Sequence, residues 1–460
     1  MKKLILSMAC LGLSLTAYAQ NEKDSVRYDQ YGIKVDRKPL QTEERNGILV
    51  MESKDSNYKL WFDIRVHVDA ATFFGQDKDY DPIGDGASIR RARFAVKGQV
   101  TPEWYGEVDV NFANGVLELK DAIVRYTGFN DWELQAGNFK ENFQLTRNTS
   151  SRYQPLMERP MVANNLGPNR SVGVNAKYQK KWIFASYGVF FHAVEDSETR
   201  TYVEDNNKDY GRKEGLAHTA KVVFQPLYKS SDASLHLGAA VSRRKPSTDV
   251  DPGEYGGVRI STRNATSINR KKYLDTDVIP NVNFSLYSTY EIAGHYKGLR
   301  FESAYVQDDV HILKDAPANV NKSVKKFHGG YVMASYLLFG GKQKYDYNGA
   351  KFNQVKRGRS WGDIELAARY DYMDLNSGGV LGGSGENYTF GINYYTSKNV
   401  RFSLDYQYSN NDRYANGKGK LFVGHDVNGN PTKDPSQVVE ADGKAGVDFH
   451  MVAARIQIDF

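Results

Sequence analysis

From Val452 to Phe460 apolar and polar positions alternate without a break. Val452, Ala454, Ile456, Ile458 and Phe460 fall on one face; Ala453, Arg455, Gln457 and Asp459 fall on the other. Successive side chains of a strand point to opposite sides, so this segment needs an apolar medium on one side and a polar one on the other. A strand of this kind, ending on an aromatic at the terminal carboxyl, fits the closing strand of an outer-membrane barrel. The same nine residues would also serve as an ordinary half-buried strand of a soluble sandwich. The rest of the chain separates the two.

Period-2 segments of roughly ten residues recur along its whole length. They cover 58–73, 87–101, 104–112, 117–127, 132–138, 170–179, 182–193, 215–225, 233–243, 280–292, 298–308, 326–339, 361–373, 387–396, 400–409 and 447–460. Sixteen is an even number within the range of bacterial barrels. The connections alternate as a barrel requires. Short turns such as 101–103, 128–131, 180–181 and 397–399 take every second place, and the longer 74–86, 139–169, 194–214, 244–279, 309–325, 374–386 and 410–446 take the others. Two connections break the rule, the short 113–116 and the long 340–360. A soluble multidomain chain has no reason to alternate its loop lengths in this way. The sequence therefore predicts an all-β fold, a 16-stranded antiparallel transmembrane β-barrel over 58–460.

The remaining segments agree with export. Lys2 and Lys3, an apolar run from Leu4 to Leu15, and Ala17-Tyr18-Ala19 read as a signal peptide over 1–19 with cleavage near Ala19. Residues 20–57 read as a polar periplasmic leader, with a short strand at 47–52. The single cysteine, Cys10, lies within the signal, so the mature chain has neither disulfide nor thiolate chemistry. Loss of Lys2 and Lys3 takes the basic count from 61 to 59 against 55 acids, a net charge of +4 and too evenly mixed for a nucleic-acid partner. After the signal no apolar run approaches the ~20 residues of a spanning helix. Yet aromatics make up 13% of residues. Trp61, Trp104, Trp132, Trp182 and Trp361 stand near strand ends, where they form either interfacial girdles or the core of a sandwich.

Placing the apolar parity of each strand in lipid turns Asp63, Arg65, His67 and Asp69 inward on the first strand, and Arg91, Arg93 and Lys97 on the second. The same rule turns in Glu107, Asp109, Asn111, Arg125, Lys177, Asp363, Glu365, Arg369, Arg401 and Asp405. Sixteen strands leave a water-filled channel, so these groups are expected to meet solutes. The 139–169 connection is long enough to fold into the lumen as a constriction. It carries Lys140, Arg147, Arg152 and Arg159 against Glu141 and Glu158, with Ser150 and Ser151 between the arginines. Guanidinium groups and hydroxyls suit an anionic oxygen ligand, and in a narrow passage they select anions. The alternative is a solvated outer loop whose arginines meet lipopolysaccharide phosphates.

No catalytic pattern of the H-E-x-x-H or G-x-S-x-G kind is present, and the chain is expected not to be an enzyme; His67 beside Asp69 reads as wet lumen lining. Asp77, Asp79 and Asp81 and the Asp426, Asn428, Asn430 run lack the glycine and closing glutamate of an EF-hand and read as solvated loops. No cofactor or metal is expected.

Several stretches carry a resemblance to a known family: Ser88-Ile89-Arg90-Arg91-Ala92-Arg93, Tyr126-Thr127-Gly128-Phe129, Thr149-Ser150-Ser151, Glu158-Arg159, Gly167-Pro168-Asn169-Arg170 and Asn348-Gly349-Ala350-Lys351-Phe352. In this order, from about Gly47 to Phe460, the chain resembles the phosphate-selective porin O and P family. The resemblance implies a sixteen-stranded homotrimer with an arginine-rich lumen and a lysine-and-serine constriction that binds phosphate. By position Arg65 matches the family's first-strand arginine, Arg90 and Arg91 its paired arginines, Ser150 and Ser151 its constriction serines, and Arg159 the arginine of its Glu-Arg pair. Parity points Arg90 at lipid or the rim and Arg91 at the lumen. Arg147 stands where the family has its constriction lysine, and Asn111 where it has a lumen aspartate. The expected function is passive diffusion of phosphate, polyphosphate or other small anions past Arg65, Arg91, Arg93, Arg147, Ser150, Ser151 and Arg159. A general or differently selective diffusion porin on the same scaffold is the alternative. Expected partners are outer-membrane lipid, lipopolysaccharide and two further copies of the chain.

Overall fold

The computed structural model describes residues 27–460 apart from 36–38, 46, 77–81, 116, 193, 195–207, 209–213, 229, 248–256, 412–413, 416–420, 423, 433, 438 and 440–446. The signal peptide, the Asp77–Asp81 run and the start of the leader lie outside the described residues. Sixteen antiparallel strands close into a barrel: β1 (Lys59–Phe74), β2 (Gly86–Gln99), β3 (Trp104–Asn111), β4 (Glu118–Tyr126), β5 (Trp132–Lys140), β6 (Arg170–Lys180), β7 (Ile183–Phe190), β8 (Ala217–Phe224), β9 (Ala233–Arg244), β10 (Val282–Tyr296), β11 (Leu299–Ile312), β12 (Lys325–Leu337), β13 (Asp363–Ser377), β14 (Val380–Tyr395), β15 (Val400–Asn411) and β16 (Phe449–Asp459). Each pairs with its neighbour in sequence, and β16 returns to β1 from His450↔Phe74 to Asp459↔Arg65. Each of the sixteen predicted segments lies on one of these strands. Below the closure, a hairpin of Leu40–Arg45 and Ile48–Ser53 adds to the first residues of β1.

One end of the barrel has tight turns and the other long connections, which by the rule for outer-membrane barrels makes the tight end periplasmic. Four tryptophans stand outward near that end: Trp104, Trp132, Trp182 and Trp361 are 45–48% exposed. Each packs on an aromatic neighbour, Tyr126, Tyr178, Phe224 and Phe339 respectively. Rings at this level belong to an interfacial girdle. Trp61 does not join them. It lies on the lumen parity of β1 and packs on inward Tyr105.

Two connections differ from expectation. The outer one placed at 374–386 is only Gly378-Gly379: β13 and β14 run past the membrane to a pair at Ser377↔Val380. Both glycines have positive φ, 54° and 88°, the backbone of a two-residue type I′ hairpin, which glycine adopts without strain. The rule-breaking 340–360 is an independent hairpin of Lys342–Asp346 and Lys351–Lys356, turned into the barrel from the periplasmic end.

The expectation of an open, water-filled lumen needs the larger correction. Val306, Val310 and Ile312 of β11, Phe327, Tyr331 and Met333 of β12, and Met373 and Leu375 of β13 all point inward and are buried. They meet Phe143, Leu156, Met161, Val162 and Leu166 from the connection after β5, and Ile260, Leu274 and Ile279 from the one after β9. Each fully buried side chain of this size contributes ~1.5–3 kcal/mol relative to a wet lumen. One side of the lumen is thus a packed core, and a cavity remains on the other.

Candidate pore and constriction

The segment after β5 carries two short helices, α1 (Leu145–Asn148) and α2 (Met161–Asn165), and lies inside the barrel. An irregular chain at membrane depth must find partners for its backbone groups inside the protein. The wall from β8 to β16 supplies them. Lys221 donates to the Phe143 carbonyl (2.8 Å), Arg300 to Tyr153 (2.9 Å), Arg401 to Gln154 (2.8 Å), Asn393 to Pro155 (2.6 Å), Arg455 to Met157 (2.6 Å) and Arg369 to Glu158 (2.7 Å). Asp405 accepts from the Met157 amide (2.8 Å) and Asp371 from that of Met161 (3.0 Å). Arg369, Arg401 and Asp405, expected to meet solutes, therefore hold this loop in place. The other inward groups are buried or half-buried on the lumen side as the parity required.

The Glu158 side chain is the strongest of these ties. Arg90 grips it with two bonds (2.6 and 2.9 Å), and Arg455, itself bidentate on Asp69 (2.7 and 2.7 Å), adds a third (3.0 Å). Burial pushes this carboxyl up, but Arg90, Arg455 and Arg91 outweigh it and hold it well below the usual carboxylate range. Arg90 reaches the lumen, contrary to strict parity, because β2 carries a bulge there: His67 pairs with Arg91 and Val68 with Ile89, leaving Arg90 as the extra residue. An extra residue re-aims the side chains beside it, so Arg90 and Arg91 both face in.

Between the loop and the inner wall of β1–β6 lies a cavity of about 270 Å³. Its basic groups are Arg65, Arg93, Lys97, Arg125, Lys140, Arg170, Lys177 and Lys351; its acids are Glu107, Asp109, Asp121 and Glu133. Most are coupled. Arg93 meets Asp109 (2.5 Å), Arg170 Asp121 (2.7 Å), Lys97 Asp63 (2.9 Å) and Glu107 (3.3 Å), while Arg125 (3.2 Å) and Lys177 (2.8 Å) share Glu133. Three of the acids, Glu107, Asp109 and Asp121, bring ligand atoms within 4.8 Å of one another, but Lys97, Arg93 and Arg170 already meet their charge. Toward the periplasm a second cavity, about 430 Å³, is bordered by Arg152, Lys344, Lys356, Arg357, Arg359 and Lys398, with Asp459 as its one acid.

The seven residues expected at the constriction separate into two groups. Arg65, Arg93 and Ser150 border the passage, and Ser151 lies beneath it, accepting from Arg65 (3.2 Å). Arg91 lies on the lumen side of β2 with its Nε buried and unbonded. Arg147 and Arg159 turn back into their own loop. Arg147 donates to the Ala163 carbonyl, and Arg159 to the carbonyls of Thr146 (2.8 Å) and Thr149 (2.7 Å). Arg152 reaches across to Asp63 and Asp459 (3.2 Å). The family's lumen aspartate position, Asn111, is buried and donates to Glu118 (2.8 Å). Sequence reasoning missed the periplasmic hairpin as a wall of the passage. It brings Lys351 to the cavity and docks on the loop through Phe352, whose amide donates to Thr149 Oγ1 (3.3 Å) and whose ring carries Arg300 at 3.7 Å. The break in loop-length alternation at 340–360 was its signal.

A family model described as phosphate-selective porin O and P matches residues 62–428. The chain belongs to that family. It is therefore an outer-membrane channel through which solutes diffuse, and not an enzyme. Among curated relatives, an uncharacterised protein of Caulobacter vibrioides is 26% identical over 337 residues, 70% of this chain and 63% of the relative. Porin O of Pseudomonas aeruginosa is 24% identical over 408 residues, 81% of this chain and 88% of the relative. The chain thus spans less than two thirds of the first of these and most of the second. Solved structures that it resembles include an anion-selective porin from Comamonas acidovorans (11% identity, TM-score 0.47, 88% of this chain and 100% of that one) and the outer-membrane channel DcaP of Acinetobacter baumannii (13% identity, TM-score 0.48, 89% and 99%).

Proposed function

We propose that this porin passes small anions by passive diffusion, with phosphate and polyphosphate as the solute class. The supporting observation is the charge of the passage: eight basic groups border it against four acids. Arg65, Ser150 and the bulge-turned Arg91 add planar donors and a hydroxyl, the groups that bind an anionic oxygen well. The resemblance of Arg65, Arg91, Ser150, Ser151 and Arg159 to the family's phosphate-binding positions points the same way. The protein is exported with residues 1–19 removed. It assembles as a homotrimer surrounded by outer-membrane lipid and lipopolysaccharide.

A second reading, a general diffusion pore, is favoured by one observation. Among the described residues six of the eight basic groups have an acid within 4.0 Å, leaving Lys140 and Lys351 without one. Charges spent on one another give a transverse field with little net preference. Reversal potentials of the refolded protein in a potassium chloride gradient, followed by titration of inorganic phosphate, separate the two. Chloride preference with block at millimolar phosphate supports anion transport; equal permeability without block refutes it.

A further inference from the structure

We infer that Lys140, and not Arg147, supplies the ammonium that holds an anion in the passage. The inference rests on the anion-transport reading and assigns its binding site.

Arg147 is the residue that alignment by position would choose, but its guanidinium is committed to the Ala163 carbonyl across its own loop. It does not border the cavity, whereas Lys140, the last residue of β5, does. Among the described residues the Lys140 Nζ bonds only a neutral oxygen, the Arg147 carbonyl at 2.8 Å. An ammonium has three donors, so this leaves two for a ligand. The charges acting on it are Arg159, Arg170, Asp121 and Arg93. Arg93 and Arg170 spend their charge on Asp109 and Asp121, and Arg159 bonds carbonyls alone. Lys140 and Arg159 are therefore adjacent cations with no carboxylate in ion-pair contact among the described residues; Asp121 acts on the first, and Glu158 and Glu302 on the second, only from a distance.

Uncompensated cations in a half-buried site are costly, and a bound anion removes that cost. Ser150 borders the same cavity and offers a hydroxyl to it. The site thus presents an ammonium, a hydroxyl and the free edge of the paired Arg93 and Arg170 guanidiniums, a donor set for a compact tetrahedral oxyanion. Arg147 takes part through its backbone: its carbonyl steers the Lys140 ammonium, while its side chain fixes the turn around α1.

The test uses the full-length refolded channel in planar bilayers with inorganic phosphate as the probe. Lys140→Met keeps the apolar stem and removes the charge; Lys140→Arg keeps the charge; Arg147→Met removes the guanidinium proposed by alignment. Lys140→Met should raise the phosphate concentration for half-block by about tenfold to a hundredfold, the loss expected for one charge-assisted hydrogen bond. Lys140→Met should still migrate as folded in unheated SDS gels, so that its loss of block reports the missing ammonium and not a misfolded barrel. Lys140→Arg should recover most of the block, and Arg147→Met should shift it far less than Lys140→Met. A wild-type channel with no chloride preference and no phosphate block overturns the anion reading and this inference together. A wild-type channel that is blocked, with Lys140→Met blocked at the same concentration or Arg147→Met the more impaired, overturns the inference alone.

Discussion

Replacing Glu158 by alanine should release the constriction loop while leaving the barrel closed. The carboxylate accepts two bonds from Arg90 and one from Arg455, and its side chain is 10% exposed. Arg455 keeps Asp69 and the Met157 carbonyl in the variant. Arg369 still holds the Glu158 carbonyl. Arg90 loses both of the bonds it makes to this carboxylate. Removing one member of a buried ion pair costs about 3–5 kcal/mol. Because Arg90 can turn toward water, the lower end applies, ~3 kcal/mol, or about 150-fold in the ratio of docked to released loop. Trypsin cleavage after Arg147 and Arg152, scored by mass spectrometry, should accelerate, and open-channel current noise should rise. The barrel should still migrate as folded in unheated SDS gels. The same clamp fixes a pH dependence. A carboxyl whose folded pKa is depressed contributes stability that is fully present above its ordinary value near 4.5 and is lost only as pH falls through the lowered one. Wild-type open-channel noise should therefore stay low down to pH 4. Glu158→Ala as resistant to trypsin as wild type, or a wild-type loop released by pH 5, would refute the reasoning.

Two further outcomes probe other parts of the molecule. Val332, 61% exposed on the outer face of β12, stands in lipid, so Val332→Arg should cost ~2–4 kcal/mol, read as a lower urea midpoint for unfolding from detergent or lipid. Val332→Thr should cost much less. Phe352→Ala removes the ring that joins the periplasmic hairpin to the loop and leaves a cavity beneath Arg300. A change of ~3–5 kcal/mol at that docking contact should expose Lys344, Lys351 and Lys356 to trypsin, whereas an unchanged digest would mean that other contacts hold the hairpin.

What could be read in advance follows from period. Each strand has one apolar and one polar parity, so Asp63, Arg65, Asp69, Arg93, Asp109, Arg369 and Asp405 could all be turned inward without a structure. Arg90 could not, because a bulge inserts one residue and has no strong pattern of its own. The strands β13 and β14 were cut short because their outer portions rise above the membrane and lose the lipid-facing signal. Parity also tells inside from outside but not which side of the lumen a residue occupies. Arg93 and Arg369 have the same pattern, yet one borders the passage and the other holds the loop.

The sequence by itself determined the barrel, its sixteen strands, its inward charges and its basic third outer loop, because these follow from alternation along the chain and from the length of its connections. Tertiary structure decided which charges remain for a solute. The loop after β5, the connection after β9 and the periplasmic hairpin fill one side of the lumen with a packed core, and the groups of β8–β16 are consumed in satisfying the loop's backbone. That allocation depends on contacts between residues hundreds of positions apart, such as Asp405 with Met157 and Arg455 with Glu158, and on the direction in which Arg147 and Lys140 turn. None of these distances is encoded in local period, so only the folded chain separates the cations that face the passage from those that build it.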